Sequence, residues 1–168
     1  MANIKNISFI GMAGCGKSTV GKKLADELAT SFIDTDLLVE RKYQSSLEEI
    51  KQKFGYKFVR SAEEEVILNL DVSTKIISTG GSAVYSLKSM EHLKTFSKIV
   101  YINTPLEIVI ERINTGQERG LAVPEGLTIS EVFAEREPLY EKFSDFILDG
   151  SKNLEEKISI IKTSFFDE

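Results

Sequence analysis

Short runs of hydrophobic residues alternate along this chain with longer segments in which hydrophobic positions recur every three or four residues. The short runs are typical of buried β-strands and cover residues 7–10, 32–33, 76–77, 99–102 and 146–148. The longer segments predict amphipathic helices, and the first of them carries Val20, Leu24 and Leu28 on one helical face.

This alternation of strands and helices indicates an α/β protein. Parallel strands are joined by helices that cover both faces of the sheet, so the pattern predicts a three-layer α/β/α fold with a central parallel five-stranded sheet. No internal repeat, low-complexity tract or linker divides the sequence, and we therefore expect a single domain over residues 1–168. Ligands of such folds bind beyond the carboxyl ends of the strands.

One segment interrupts the alternation. Residues 114–127 (NTGQERGLAVPEGL) contain three glycines and a proline, show little periodicity and lie between two helical patterns. The segment is too long for an ordinary connection in an α/β unit. It predicts a mobile lid, and a passive surface loop is the alternative.

Composition and charge narrow the function classes. The 168 residues include 21 lysines and arginines against 26 acidic residues, and this balance argues against broad binding to nucleic acids or anionic membranes. No apolar run approaches the roughly 20 residues that a membrane span needs. Cys15 is the only cysteine and has no partner for an intramolecular disulfide, so we expect a cytoplasmic protein. We also expect a monomer, because no additional apolar stripe stands out.

Directly after the first strand, residues 11–18 (GMAGCGKS) match the phosphate-binding P-loop pattern G-x-x-x-x-G-K-[ST]. Glycines let successive backbone N–H groups turn toward phosphate oxygens, and the following helix adds the positive end of its dipole. Lys17 is expected to reach the β- and γ-phosphates of ATP, and Ser18 to bind Mg²⁺. Cys15 is interpreted as a small residue that contributes its backbone N–H, with an oxidation-sensitive thiol as the alternative. The ATP-binding residues predicted from this segment are Gly14, Cys15, Gly16, Lys17, Ser18 and Thr19.

A P-loop alone does not distinguish kinases from hydrolases, switches or binding modules. Asp34 and Asp36 follow the second strand, and two carboxylates at i and i+2 of an extended segment point to the same side. Beside a P-loop, one carboxylate would hold the water shell of Mg²⁺ and the other would orient an attacking hydroxyl. A helix N-cap is the alternative, since aspartate favours that position.

From this point the chain resembles the shikimate kinases, small P-loop enzymes of the nucleoside-monophosphate-kinase-like fold. The resemblance extends from about residue 6 to residue 153 and includes the FIDTD segment at residues 32–36. Four further matches follow in chain order. Gly55, Arg60 and Glu63 match the family pattern G-E-x-x-F-R-x-x-E, and residues 78–81 (STGG) match T-G-G-G. Arg112 and Arg119 match two lid arginines, and residues 134–140 (AEREPLY) match R-x-P-L-Y.

This resemblance implies transfer of the γ-phosphoryl group of ATP to the 3-hydroxyl of shikimate, in aromatic amino acid biosynthesis, with Mg²⁺ as cofactor. It assigns Lys17, Asp36 and Arg119 to catalysis. Asp36 would hydrogen-bond the hydroxyl and accept its proton, while Lys17 and Arg119 would neutralise charge on the transferring group. Asp34 would hold Mg²⁺ together with Ser18.

The acceptor, by the same resemblance, is bound by Asp36, Arg60, Gly80, Gly81 and Arg136. The two arginines suit a carboxylate, because guanidinium groups bind carboxylates through fork-shaped, charge-assisted hydrogen bonds. The glycines would let the backbone approach the acceptor closely. Glu63, one helical turn from Arg60, is expected to fix the rotamer of that arginine.

ATP contacts outside the P-loop are also implied by the resemblance. Arg112 is expected to lie against the adenine, and Asn153 falls about where the family contacts the base. Arg119 is expected to contact the phosphates from the lid.

Several positions depart from the family pattern. Ser82 replaces the third glycine of the turn, Gly120 replaces a lid proline, and Tyr56 replaces a glutamate. The departures leave two alternatives open: a kinase of another small hydroxy acid such as gluconate, or a non-catalytic ATP-binding regulatory domain. The intact Lys17, Asp36 and Arg119 count against the second alternative.

Overall fold

The computed structural model describes residues 6–71, 73, 75–116 and 121–166. Within this part of the chain the strands form a single sheet of order β2-β3-β1-β4-β5, and each pair of neighbours is parallel. The strands are β1 (Ile7–Ile10), β2 (Phe32–Asp34), β3 (Ile76–Ser78), β4 (Lys98–Asn103) and β5 (Phe146–Asp149). The predicted parallel five-stranded sheet is therefore confirmed, although four of its strands run slightly beyond the predicted hydrophobic runs.

Helices connect the strands and supply the outer layers. They are α1 (Lys17–Glu27), α2 (Thr35–Tyr43), α3 (Leu47–Phe54), α4 (Tyr56–Leu68), α5 (Leu87–Phe96), α6 (Leu106–Thr115), α7 (Ile129–Phe143) and α8 (Leu154–Phe165). A 3₁₀ turn covers Ala83–Tyr85. None of the described helices is long and apolar enough to cross a bilayer.

Two hydrophobic clusters hold these layers together. All four residues of β1 are buried, which requires other elements on both faces of the sheet. The second, smaller cluster joins α2, α3 and α4 and includes Val39, Ile50 and Val59. Ala122 also belongs to this cluster, although it lies outside the three helices. The helices after β2 thus have a packing centre of their own beside the main core.

The predicted lid divides into parts with different structure. Its first residues belong to a helix, because α6 continues to Thr115. Further along, Ala122 and Val123 are each only 4% exposed, whereas residues 124–127 at its other end are exposed. Only the short part around Ala122 is therefore packed against the rest of the protein. Arg119 lies outside the described residues.

The sheet order also shows where a ligand should bind. The connection leaving β1 runs toward β2, whereas the connection leaving its neighbour β3 runs the other way, to β4. The crevice at the carboxyl ends of strands at such a switch point is the usual ligand site of open α/β sheets.

Candidate active site

The loop between β1 and α1 begins at this crevice. Gly16 directly precedes α1 with a φ of 103°, in the left-handed region that favours glycine. Cys15 is 1% exposed, and its backbone N–H donates to the carbonyl of Met12 at 3.1 Å. The thiol therefore faces the interior, and the phosphate contact predicted for the Cys15 N–H stays a prediction.

Lys17 is folded back onto the loop that precedes it. Its Nζ donates to the carbonyl oxygens of Gly11 at 2.7 Å and Met12 at 2.8 Å, and the side chain is buried. An ammonium group has three N–H donors, and two of them point to these carbonyl oxygens. The Lys17 side chain is thus held against the loop, and it lines the cavity in which a phosphate would bind.

A cavity of about 610 Å³ opens in front of this loop. Its P-loop lining includes Gly14, Gly16, Lys17, Ser18 and Thr19, and further lining residues are Asp36, Arg112, Lys152, Asn153 and Lys157. Its volume lies in the range of small-molecule and cofactor pockets. Five of the six P-loop residues predicted to bind ATP therefore line one cavity, while Cys15 is buried behind it.

Ser18 and Asp34 are in direct contact beside the cavity. The Ser18 hydroxyl donates to Asp34 Oδ2 at 2.6 Å, and Ser78 Oγ lies 3.3 Å from Ser18 Oγ. Hydroxyl and carboxylate oxygens are the hard donors that Mg²⁺ prefers. The described residues contain no group of three or more His, Cys, Asp or Glu side chains that would form a metal cage. The pair therefore suits a magnesium ion that takes its other ligands from phosphates and water.

The prediction that Asp34 and Asp36 share an extended segment is wrong. Helix α2 already begins at Thr35, and Asp34 is its N-cap: Asp34 Oδ1 accepts from the backbone N–H of Asp36 at 2.9 Å. Aspartate stabilises a helix start by accepting such N–H groups, and this competes with continued strand geometry. Asp34 uses one oxygen for the cap and the other for Ser18, and its contact with Mg²⁺ stays a prediction.

Asp36, in the first turn of α2, lies where two cavities meet. The second cavity measures about 30 Å³ and shares Ala13, Asp36 and Leu121 with the large one. A Cβ atom on Gly80 would collide with the carboxylates of Asp36 and Glu63, so this close approach requires glycine. The structure therefore places Asp36 between the P-loop side and the Gly80 side of the site.

Arg136, on α7, is buried at the wall of the small cavity. It is 1% exposed, and its Nε donates to the Tyr85 hydroxyl at 3.3 Å. Its Nη1 and Nη2 atoms are buried without a hydrogen-bond partner. Burying charged donors unpaired is costly, so such an arrangement indicates a ligand that completes it.

Arg60, on α4, contacts the same tyrosine as Arg136. Its Nε donates to the carbonyl of Ala122 at 2.8 Å, and its guanidinium lies 3.8 Å from the centre of the Tyr85 ring. Tyr85 thus contacts Arg60 and Arg136 together. The two arginines that are predicted to bind one carboxylate therefore both contact Tyr85.

Glu63 does not serve Arg60 as expected. It is buried, and its carboxylate accepts from Gly80 N at 2.7 Å and from the Ser82 hydroxyl at 2.8 Å. Burial raises the pKa of Glu63, although these hydrogen bonds and the charges of Arg136 and Lys17 oppose the shift. Helical spacing suggested the Arg60 contact, but Glu63 turns inward and holds residues 80–82, here named the glycine turn.

The large cavity is also lined by Arg112, Asn153 and a residue that the sequence did not single out. Arg112 Nη1 donates to the carbonyl of Gly14 at 3.1 Å, and Asn153 Oδ1 caps α8 by accepting from Glu156 N at 2.9 Å. Lys157 is 5% exposed, and burial, followed by the charge of Arg112, lowers its pKa. Asn153 and Lys157 are four residues apart, so helical spacing was the available signal for this lysine.

These features are those of a P-loop phosphotransferase: a loop with the P-loop sequence, a paired hydroxyl and carboxylate, and Asp36 shared by a large cavity and a second cavity that Arg136 lines. Comparison with known proteins gives the family. The family model for shikimate kinase matches residues 13–164. The chain belongs to the shikimate kinase family.

Individual relatives agree with this membership. Shikimate kinase of Caldanaerobacter subterraneus subsp. tengcongensis is 35% identical over 157 residues, which cover 91% of each chain. Shikimate kinase of Francisella tularensis subsp. novicida is 33% identical, with 95% of each chain covered. Among solved structures, shikimate kinase from Acinetobacter baumannii in complex with shikimate is 29% identical and matches with a TM-score of 0.85, over 96% of this chain and 93% of that one. The shikimate kinase from Aquifex aeolicus, 32% identical, matches with a TM-score of 0.80 over 95% of both chains.

Proposed function

We propose that this protein transfers the γ-phosphoryl group of ATP to the 3-hydroxyl of shikimate and releases ADP and shikimate 3-phosphate. The single observation that carries the choice of acceptor is the buried Arg136 guanidinium, whose two Nη atoms lack partners at a cavity wall next to Asp36. A carboxylate on the acceptor supplies the missing hydrogen bonds and neutralises the charge. Membership of the shikimate kinase family names the acid.

In the proposed reaction the 3-hydroxyl oxygen attacks the γ-phosphorus, and the bond between this phosphorus and the β–γ bridging oxygen breaks. The hydroxyl proton passes to Asp36, and Lys17 neutralises charge on the phosphates. Ser18 and Asp34 would hold Mg²⁺, which when bound adds positive charge beside the β- and γ-phosphates. Arg119, the further catalytic residue suggested by the family resemblance, stays a prediction because it lies outside the described residues.

The acceptor enters only if part of the site opens. The small cavity of about 30 Å³ has room for roughly two waters. Leu121 and Ala122 line it together with Glu63 and Arg136. We propose that these two residues move outward when the acid binds and return to exclude water from the transfer.

The test is a coupled assay of ADP release with Mg-ATP and, in parallel, shikimate, quinate, gluconate or no acceptor. We expect ADP release only with shikimate, and a phosphorylated product detectable by mass spectrometry. Turnover with gluconate and not with shikimate would reassign the acceptor. ATP binding without turnover on any acid would instead identify a non-catalytic descendant of the family.

A further inference from the structure

Tyr85 is the one side chain on which both acceptor arginines converge within the described residues. The Arg60 guanidinium lies 3.8 Å from the centre of its ring, and the Arg136 guanidinium lies 5.3 Å away. Arg136 also donates from Nε to the Tyr85 hydroxyl at 3.3 Å. Aromatic rings attract guanidinium groups at such distances through their negative faces.

A second tyrosine contacts Arg60 within its own helix. Tyr56 opens α4 four residues before Arg60, and its ring centre lies 4.9 Å from the guanidinium. This spacing places the two side chains on the same helical face. Arg60 is therefore in contact with the rings of both Tyr56 and Tyr85.

Holding an arginine by its face has a chemical consequence. A carboxylate partner would occupy the terminal N–H donors of the guanidinium, whereas a stacked aromatic ring leaves them for a ligand. In Arg60 the Nε–H already donates to Ala122, so the donors left are those of the two Nη atoms. Glu63, the nearest candidate for an ionic partner of Arg60 by sequence, is engaged by Gly80 and Ser82 instead. Tyr56 and Tyr85, and not Glu63, therefore contact Arg60 and can fix its rotamer.

The backbone around Tyr85 keeps its ring in place. Tyr85 ends the 3₁₀ turn that follows the glycine turn, and its N–H donates to the carbonyl of Ser82 at 3.1 Å. The preceding Ala83 and Val84 are buried in the main core. The ring is therefore attached to the same rigid segment that carries Gly80 and Gly81.

We propose that Tyr85, assisted by Tyr56, is a positioning residue that orients Arg60 and Arg136 toward the carboxylate of the acceptor. This inference rests on the proposed function, since it needs an acceptor acid. The tyrosines do not touch the reacting atoms. They set the direction of the two guanidinium groups before the acid arrives, which lowers the ordering cost of binding.

The experiment compares shikimate with its carboxamide, which lacks the negative charge, in the wild type, Tyr85→Leu, Tyr85→Phe and Tyr56→Leu. For Tyr85→Leu we expect the KM for shikimate to rise about tenfold and the preference for acid over amide to fall by a similar factor, with the KM for ATP within about twofold of wild type. Tyr85→Phe keeps the ring but loses the hydrogen bond from Arg136, so its KM should lie between those of wild type and Tyr85→Leu. Phe54→Leu is the matched control, because this 51% exposed ring contacts Phe58 and neither arginine.

Equal increases in KM for acid and amide, or an unchanged KM for the acid, would overturn the proposal, because a positioning effect must depend on the carboxylate. If thermal unfolding shows that Tyr85→Leu does not fold, Tyr85→Phe and Tyr56→Leu decide by the same criterion. Wild-type protein without shikimate-dependent turnover would reject the proposed function instead, and this outcome is read before any variant is compared.

Discussion

The hydroxyl of Tyr140 donates a 2.6 Å hydrogen bond to the carbonyl of Gly81. Tyr140 is buried in α7, and its ring stacks on Tyr101 with ring centres 5.1 Å apart. Burial raises the pKa of its hydroxyl, which therefore stays protonated and able to donate. Through this contact the core of the domain fixes the glycine turn.

Tyr140→Phe should loosen that turn without disturbing the ring stack. We expect a loss of about 1–3 kcal/mol in the free energy of unfolding, because a buried carbonyl loses its partner, and a rise of a few-fold in the KM for shikimate. Urea unfolding and steady-state kinetics measure the two effects. Tyr101→Phe is the matched control, since it removes a hydroxyl from the same stack that bonds to Asn103 instead. If both variants raise the KM for shikimate equally, the hydrogen bond to Gly81 does not by itself control acceptor binding.

Arg136→Met should separate stability from binding. Methionine fills much of the volume of arginine but has no buried charge to desolvate, so we expect the unliganded variant to be at least as stable as wild type. The KM for shikimate should rise about a hundredfold or more, because the partner of the carboxylate is gone, while the KM for ATP stays close to wild type. A large loss of stability in the absence of ligands would show that Arg136 is mainly a structural residue.

Asp36→Asn keeps the shape of the side chain and removes its charge and basicity. If Asp36 accepts the hydroxyl proton, kcat should fall by about 10²–10⁴, the usual contribution of a general base. Single-turnover kinetics with saturating substrates isolates this step. Glu40→Gln, in the same helix α2, controls for loss of a carboxylate. Near-normal turnover of Asp36→Asn would assign Asp36 to the helix start alone.

Asp34→Asn should distinguish the cap from the magnesium site. Asparagine is as good an N-cap as aspartate, so the free energy of unfolding should change little. The Mg²⁺ concentration that gives half-maximal activity should rise, because the neutral amide binds a hard cation more weakly. Asp34→Ala should lose about 0.5–2 kcal/mol of stability as well. An unchanged Mg²⁺ requirement in both variants would place the ion elsewhere.

Glu63 gives a prediction on pH. Its raised pKa means that the folded protein holds a proton to higher pH than the unfolded chain, whose glutamates have the ordinary value of 4.5. As pH rises above 4.5, the unfolded state therefore ionises first and is favoured, until the folded pKa is passed. The free energy of unfolding of wild type should fall across this window relative to Glu63→Gln. A rise instead would mean that the hydrogen bonds from Gly80 and Ser82 outweigh burial.

Much of the framework could be predicted because it depends on local patterns. The P-loop combines a strand, a glycine-rich turn and a helix start, which are all contiguous in the chain. The parts that were wrong have two causes: a local helix start capped by Asp34, and long-range burial at Glu63. Glu63 has the helical spacing of a partner for Arg60. Its carboxylate instead accepts a hydrogen bond from the buried N–H of Gly80, which lies 17 residues further along the chain. Tyr85 carried no signal, since a lone tyrosine after a turn has no motif until Arg60 and Arg136 are seen to converge on it.

The hydrogen bond from Arg60 to the carbonyl of Ala122 has a thermodynamic consequence. It joins the helix predicted to bind the acceptor to the segment that follows residues 117–120, and Ala122 also packs with α2, α3 and α4. A ligand that draws Arg60 away from this carbonyl changes the free energy of moving the segment. Linkage is reciprocal, so whatever moves the segment changes the affinity for that ligand by the same factor. Arg60 thereby couples binding of the acceptor to the position of the segment that contains Ala122.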